Sequence, residues 1–400
     1  MIIFILNCGS SSIKFQVIDN NSNMVLGKGQ IERIGELKTT LIYNNSKGDL
    51  YKKEEAVITY REGINEIIKI LTDKNIGCID SVSDIDAIGH RVVHGGERFQ
   101  SSTIINKDTI KGIKACVSMA PLHNPANIDG ILACHEIFPD KPQVAVFDTA
   151  FHSTIPQEAY LYGLPYDLYK KYGIRKYGFH GISHNYVSER AAQILGENIN
   201  DLKIISCHLG NGASITAIKN GKSVDTSMGF TPLDGLLMGT RCGEIDPAII
   251  PFLMYKEDMT GKQVYNYLNK QSGILGLSGI SGDFRDIEKA AIVGDIRAER
   301  ALDAVTYRVV KFIGSYYVAM HGFDCLIFTA GIGEHSAVIR EKICQWLDVF
   351  GLYIKDDLNR ESIDSDRIIS TPDSKVKVLI IKTDEEYIIA KEVARLCLNN

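Results

Sequence analysis

The chain is short of the features that mark specialised folds. Its 400 residues hold one tryptophan, ten prolines and nine cysteines, an odd number, and no Cys-x-x-Cys pair occurs. Most of the cysteines stand in apolar surroundings, as in Phe323-Asp324-Cys325-Leu326-Ile327. That reads as reduced, buried thiols in a cytoplasmic protein rather than a disulfide framework. No apolar run approaches the roughly 18 residues of a membrane helix. The opening Met1-Ile2-Ile3-Phe4-Ile5-Leu6 has no basic flank and stops at Asn7, too short for a signal peptide. Lys plus Arg is 44 against 49 for Asp plus Glu, a net charge of −5. So balanced a chain has no overall field for nucleic acid or an acidic membrane. GxxxxGK[ST], GxGxxG, HExxH and GxSxG are all missing. The first absence excludes a P-loop NTPase; the others weaken dinucleotide, metalloprotease and hydrolase readings.

What is there is the mix of an ordinary globular protein, 45% apolar and 23% charged. Single cores stop growing near about 250–300 residues, so two or three domains are expected. Apolar runs at Ile2–Leu6, Ile13–Ile18, Val25–Ile31 and Thr39–Tyr43 predict strands separated by Gly/Ser/Asn turns. Ile64, Ile67, Ile68 and Leu71 then carry helical spacing. Strand-like Ile85–Val93 and Val144–Phe147 flank a helix near 123–137, the order of a mixed α/β domain. The second half restarts with Lys203–Leu209, a glycine turn and Ile215–Lys219, and a shift of 202 residues lays Ser214-Ile215 on Ser12-Ile13. Helices are expected over Arg297–Met320, with Gly322 as its stop, and over Glu385–Leu398, where Thr383 and Glu386 fit a capping box. Asp246, followed by Pro247, reads as the N-cap of a helix through Phe252. The charged stretch Lys355–Ser374 reads as a surface excursion.

Several small-residue turns could carry chemistry. Asn7-Cys8-Gly9-Ser10-Ser11-Ser12-Ile13-Lys14 offers backbone N–H groups, hydroxyls and one ammonium to an anion, or is merely a flexible hairpin. His208-Leu209-Gly210-Asn211-Gly212-Ala213-Ser214 is a second such turn, or an ordinary Asn-Gly hairpin. Gly331-Ile332-Gly333-Glu334-His335-Ser336 follows an apolar run and precedes a helix, where a nucleotide can approach the backbone. Arg91 and Arg241 stand beside strand ends or glycines, where a planar guanidinium suits phosphoryl or carboxylate oxygens; a surface salt bridge is the plainer alternative. Asp148 ends an apolar strand and reads as a metal holder, a helix cap or half of an ion pair. His180 and His184 lack the further ligands of a zinc site, so His180 reads better as a donor to a charged group.

Ten ordered segments together resemble the acetokinase family over nearly the whole chain. They include Asn7–Lys14, Arg91–Glu97, Pro121-Leu122-His123-Asn124-Pro125, Tyr177–His184, Gly239–Pro247 and Thr383–Glu386. The resemblance implies an α/β fold of two duplicated ribonuclease H-like (actin-like ATPase) domains with a central cleft. The expected divisions are residues 1–150 plus 384–400, an N-terminal lobe with the C-terminal helix, and 151–383, a nucleotide-binding lobe. It also implies reversible ATP:acetate phosphotransfer with Mg²⁺ (Mn²⁺ as substitute), acetate and ATP as small-molecule partners, and a cytoplasmic homodimer. Propionate or butyrate kinase of the same fold is the alternative, and a filament or chaperone ATPase of the same superfamily is a more distant one.

By the family's pattern Asn7, Asp148 and Glu385 would hold the metal. Arg91, Arg241, His123 and His180 would hold the transferring phosphoryl group and the acetate. Val93, Leu122, Phe179 and Pro232, beside Arg91, would form the acetate pocket. Lys14, His208, Leu209, Gly210, Asn211 and Gly212 would lie along the phosphates. Asp283, Phe284, Arg285, Gly331, Ile332, Gly333 and His335 would meet the nucleoside. The family usually has Asn where His335 stands. A carboxylate nucleophile is ionised at pH 7, so no general base is needed. Arg91→Ala and Arg241→Ala are each expected to lose most of kcat with the fold intact.

Overall fold

The computed structural model describes residues 1–362 and 365–398. The chain divides into two compact units, Met1–Phe151 with Asp384–Asn400, and His152–Thr383.

The first unit holds an eight-stranded sheet: β1 (Ile2–Cys8), β2 (Ser12–Asp19), β3 (Met24–Glu32), β4 (Thr39–Asn45), β5 (Leu50–Glu55), β6 (Ala87–Val92), β7 (Thr103–Ile104) and β8 (Gln143–Phe147). Their order is β5-β4-β3-β2-β1-β6-β8-β7. β1 through β5 form an antiparallel meander, while β6 and β8 run parallel to β1. The continuous apolar runs of β1 and β8 follow from burial on both faces, whereas β4 alternates buried and half-buried residues. Helix Tyr60–Leu71 opens with a capping box from Thr59 and Glu62, and helix Asn124–Ile137 packs against it and against β1 and β6. The C-terminal helix Glu385–Leu398 lies on β1, β6 and β8. It comes so close to β6 that a Cβ on Gly89 would stand 2.5 Å from Ile389 Cγ2.

The second unit repeats the plan with β9 (Lys203–Leu209), β10 (Ala213–Lys219), β11 (Lys222–Thr226), β12 (Cys325–Thr329), β13 (Arg367–Ile368) and β14 (Lys377–Ile380), in the order β11-β10-β9-β12-β14-β13. β9, β10 and β11 are antiparallel, and β12 and β14 run parallel to the line of β9. Five strands of one sheet thus match five of the other, β3-β2-β1-β6-β8 with β11-β10-β9-β12-β14, which is the pattern of a duplicated α/β unit. The hairpins close at Cys8↔Ile13 and Leu209↔Ala213, an offset slightly shorter than the 202 residues read from sequence, because the second turn is tighter.

Two caps read from sequence, at Thr383 and Asp246, are corrected, and the long helix and the 355–374 stretch gain detail. The long helix runs Ile296–Met320 from an Asp295 cap and ends on His321 in the left-handed conformation, with Gly322 just beyond. Asp384, not Thr383, caps the terminal helix, accepting from the Tyr387 N–H at 2.9 Å. Thr383 instead hydrogen-bonds Ser183 through its hydroxyl. Asp246 holds a turn by accepting from Ala248 N–H, and the helix begins only at Ile249. The stretch 355–374, described except for residues 363 and 364, adds a short helix Asp356–Arg360 and the edge strand β13, which are too short to show a period. Its Asn359 is buried and accepts from the Arg340 guanidinium at 2.8 Å.

Candidate active site

In the first unit β1, β6 and β8 run side by side, so their carboxyl ends present Asn7, Arg91 and Asp148 together. Such strand ends are where open α/β sheets usually bind ligands. Arg91 is the hub. Its Nε reaches Asp148 Oδ1 at 3.0 Å, its Nη2 reaches Asp148 Oδ2 at 2.5 Å, and its Nη1 donates to Asn7 Oδ1 at 3.3 Å. Glu385, at the start of the terminal helix, lies 3.6 Å from Arg91 Nε. Asp148 is fully buried. Burial works against the charge on Arg91, but Asp148 and Glu385 outweigh it and hold the guanidinium above its ordinary value. Burial, with the neighbouring Glu385 charge, raises the Glu386 carboxyl. The three residues expected at a metal therefore do converge, around a guanidinium. Lys14 faces Asn7 across the β1–β2 ladder and is exposed. Val93 is buried just after β6, Leu122 is 38% exposed, and His123 opens helix Asn124–Ile137. The first turn is not floppy: Gly9 N–H is spent on Ser12 O at 2.8 Å, and the Tyr60 hydroxyl donates to Gly9 O.

In the second unit a different set gathers at the β9–β10 turn. His180 adopts the left-handed conformation at the head of helix Gly181–Leu195, a backbone cost of about 1–3 kcal/mol that clusters at functional sites. Its ring stacks on His208 at 4.2 Å. Ser214 Oγ lies 2.9 Å from His180 Nδ1 and 2.8 Å from His184 Nε2, tying those rings together. Gly212 faces Arg241 and His180: a Cβ there would stand 2.9 Å from Arg241 Nη2 and 3.5 Å from His180 Nε2. Arg241 donates through Nη1 to Pro232 O at 2.7 Å, and burial lowers its pKa somewhat. Phe179 is buried, and its carbonyl lies 2.9 Å from His152 Nε2. Burial holds His184 well below its ordinary value and His152 at about 4, so both rings are neutral.

An open cavity of about 570 Å³ lies in the same unit. Gly210, Asn211, Asp283, Phe284, Arg285, Gly331, Ile332 and His335 line it, eight of the residues expected along the nucleotide. Asp283 caps helix Phe284–Ile292 and pairs with Arg285, which holds its carboxyl down to about 2. Lys14, His208, Leu209, Gly212 and Gly333 do not line the cavity. His208 turns towards Ser183, and Gly333 is buried over Cys207 O and Phe328. Two further residues line the cavity and hydrogen-bond each other: Glu288, which sequence reading passed over, and Ser336, which it quoted in the Gly331–Ser336 turn without a role. Glu334, quoted in the same turn, was given no role either: its Oε1 accepts from Ala330 N–H at 2.9 Å and Thr383 N–H at 3.1 Å, holding a turn in which Ala330 is left-handed. Only its place inside Gly-Ile-Gly-Glu could have drawn attention to it.

This geometry can be set against known proteins. A profile described as the Acetokinase family matches residues 2–391. The chain belongs to the acetokinase family. Acetate kinase of Acetivibrio thermocellus is 54% identical over 400 residues, and that of Carboxydothermus hydrogenoformans 52% over 399, with both covered over 100% of either chain. Among solved structures, Porphyromonas gingivalis acetate kinase superposes with a TM-score of 0.94 at 43% identity, covering 99% of each chain. A propionate kinase from Francisella tularensis follows at 0.91 and 44%, with the same coverage. Both matches to solved structures run through both duplicated sheets, so membership covers the two clusters and the cavity alike. His335 stands exposed on the cavity wall.

Proposed function

We infer that the protein is an ATP:acetate phosphotransferase, moving the γ-phosphoryl group of ATP directly onto a carboxylate oxygen of acetate, reversibly. The observation that carries this is identity of 52–54% to acetate kinases over 399 and 400 residues. The geometry supports it. Both reactants are anions, and phosphoryl transfer spreads negative charge over three equatorial oxygens in a loose transition state. Two partly buried guanidinium groups, Arg91 and Arg241, are the residues suited to that charge, since each presents paired N–H donors in a fixed plane. The His180 ring stands over the same Gly212 as Arg241, with its Nδ1 against Ser214. The glycines of the β9–β10 turn let phosphates approach the backbone, and the cavity walled by Asp283–Arg285 and Gly331–Ile332 takes the nucleoside. His123, Val93, Leu122, Phe179 and Pro232 are assigned to acetate.

Mg²⁺ fits the first cluster by donor chemistry: one amide oxygen and two carboxylates are hard ligands, and the ion needs only one or two carboxylates beside phosphate oxygens. Asn7, Asp148 and Glu385 would hold it. When bound it supplies charge neutralisation for the nucleotide's phosphates. Among the described residues no group of three or more His, Cys, Asp or Glu side chains is placed to hold a metal ion. We also place the protein in the cytoplasm as a homodimer. All nine cysteines are free thiols, and no helix among the described residues is long and apolar enough to cross a membrane. Sedimentation at twice the chain's mass checks the assembly.

A second reading, propionate kinase, is favoured by the likeness to the Francisella protein. One methylene is worth only about 1–3 kcal/mol in discrimination. Trapping the acyl phosphate as its hydroxamate, with acetate, propionate and butyrate in turn, decides between them. Acetate should exceed propionate modestly and butyrate strongly in kcat/KM; a preference for propionate selects the second reading, and one for butyrate refutes both.

A further inference from the structure

β1 and β6 pair in parallel from Ile3↔Ala87 to Leu6↔His90 and no further. The residues that come next, Asn7 and Arg91, are the ones assigned chemistry. Past that point the Cys8 carbonyl and the Val93 N–H lie on strand ends that no longer bond each other. One side chain meets both. Asn127, on helix Asn124–Ile137, donates from Nδ2 to Cys8 O at 2.7 Å and accepts at Oδ1 from Val93 N–H at 3.1 Å. It is 2% exposed. One turn earlier Asn124 grips His94 in the same way, accepting from its N–H at 3.1 Å and donating to its carbonyl at 3.0 Å. A buried carboxamide bonded at both ends fixes spacing as well as sign, because turning it over would set oxygen against oxygen and leave buried groups unpaired.

We propose that Asn127 is a positioning residue for phosphotransfer: its side chain replaces the missing rung between β1 and β6 and sets the separation at which Asn7 and Arg91 are presented. The proposal rests on the reading of Arg91 and Asn7 given above. Asn127 touches no substrate, and it acts through the backbone on either side of those two residues.

Asn127→Asp tests this without changing shape. Protonated, the introduced carboxyl donates to Cys8 O and accepts from Val93 N–H as the amide does. Ionised, it turns an oxygen towards the Cys8 carbonyl and is repelled. Burial and that repulsion raise its pKa, so kcat falls as pH rises through one ionisation that the native enzyme lacks. Asn127→Leu removes both bonds at every pH and loses at least about tenfold in kcat, the scale of a sub-ångström misplacement. The nucleotide KM, set in the other unit, stays within about threefold. Ile131→Val, a buried packing change on the same helix, is the control; it lowers Tm and leaves kcat unchanged. Thermal unfolding of Asn127→Asp without ligands must show the same ionisation as a loss of Tm on the alkaline side.

A pH profile that superimposes on the native one, or an Asn127→Leu enzyme within twofold of native kcat, overturns the proposal. If Asn127→Asp does not fold, the comparison of Asn127→Leu with Ile131→Val decides: kcat loss out of proportion to Tm loss supports it, and parallel losses refute it. A native enzyme that forms no acyl phosphate sinks the functional reading and the proposal together, whereas an active native enzyme with unaffected variants sinks the proposal alone.

Discussion

Gly212 offers a sharp test of the second cluster. Its backbone lies outside the left-handed region, so alanine is sterically permitted there except for what its methyl would meet. That methyl would stand 2.9 Å from Arg241 Nη2, against an optimum of about 3.5–4.0 Å for such contacts. The guanidinium must retreat by about half an ångström, and it is the far end of a flexible chain pivoted on the Nη1 bond to Pro232 O. A misplacement of about 1 Å costs on the order of 10²-fold in rate, so Gly212→Ala should lower kcat by about tenfold, or ~1.4 kcal/mol in the barrier. Stability should barely change, because no backbone or core atom has to move and alanine restricts the unfolded chain by about 0.4–1 kcal/mol in the variant's favour. Hydroxamate kinetics and calorimetry on the same preparation measure both. The effect must also vanish in an Arg241→Ala background, since the methyl acts only by displacing that side chain. A Gly212→Ala enzyme within twofold of native kcat, or losses that simply add in the double variant, would refute the placement of Arg241 at the reacting group.

Two further outcomes follow from burial. Arg91→Ala should not leave the fold intact, as the sequence alone suggested: it strips the bidentate partner from a fully buried Asp148, and breaking such a pair costs about 3–5 kcal/mol. The unpaired carboxyl would then have its pKa raised by burial, so the penalty is absent below the unfolded value of about 4 and grows as pH rises; urea midpoints at pH 4.5 and 7 should converge and diverge from native accordingly. In the native protein His90 and His152 are held at about 4 by burial, below the ordinary 6.5. The unfolded chain binds the protons more readily, so stability is full above pH 6.5 and falls towards pH 4, by about 2 kcal/mol for each histidine at pH 5. Urea titration at pH 7 and 5 checks this, and a flat profile would show that these rings are hydrated.

Much of the fold is written in local pattern. The both-faces-buried runs of β1, β8, β9 and β12 stand out because a strand covered on two sides is mostly apolar on both. The terminal helix matches its expected span Glu385–Leu398 because its apolar spacing spans several turns. β7 and β13, two residues each, carry no period and were missed. Motif and resemblance drew attention to Asn7, Arg91, Asp148 and Glu385 one by one. That the first three stand at adjacent strand ends depends on β1, β6 and β8 lying next to each other, pairings such as Ile3↔Ala87 and Ile88↔Gln143 between distant parts of the chain that no short-range signal encodes. The role of Asn127 was invisible for a related reason, and Ser214 and Glu334, though inside the motifs quoted, carried no sign of what they would bond. Only the packed fold reveals which buried backbone and ring atoms the three satisfy. Periodicity decided most of the elements, because it records how each residue meets water, and the ordered motif segments carried the resemblance to the family. The tertiary structure decided which charges share a site and which polar groups hold them, because those are relations between distant segments that exist only once the sheets are formed.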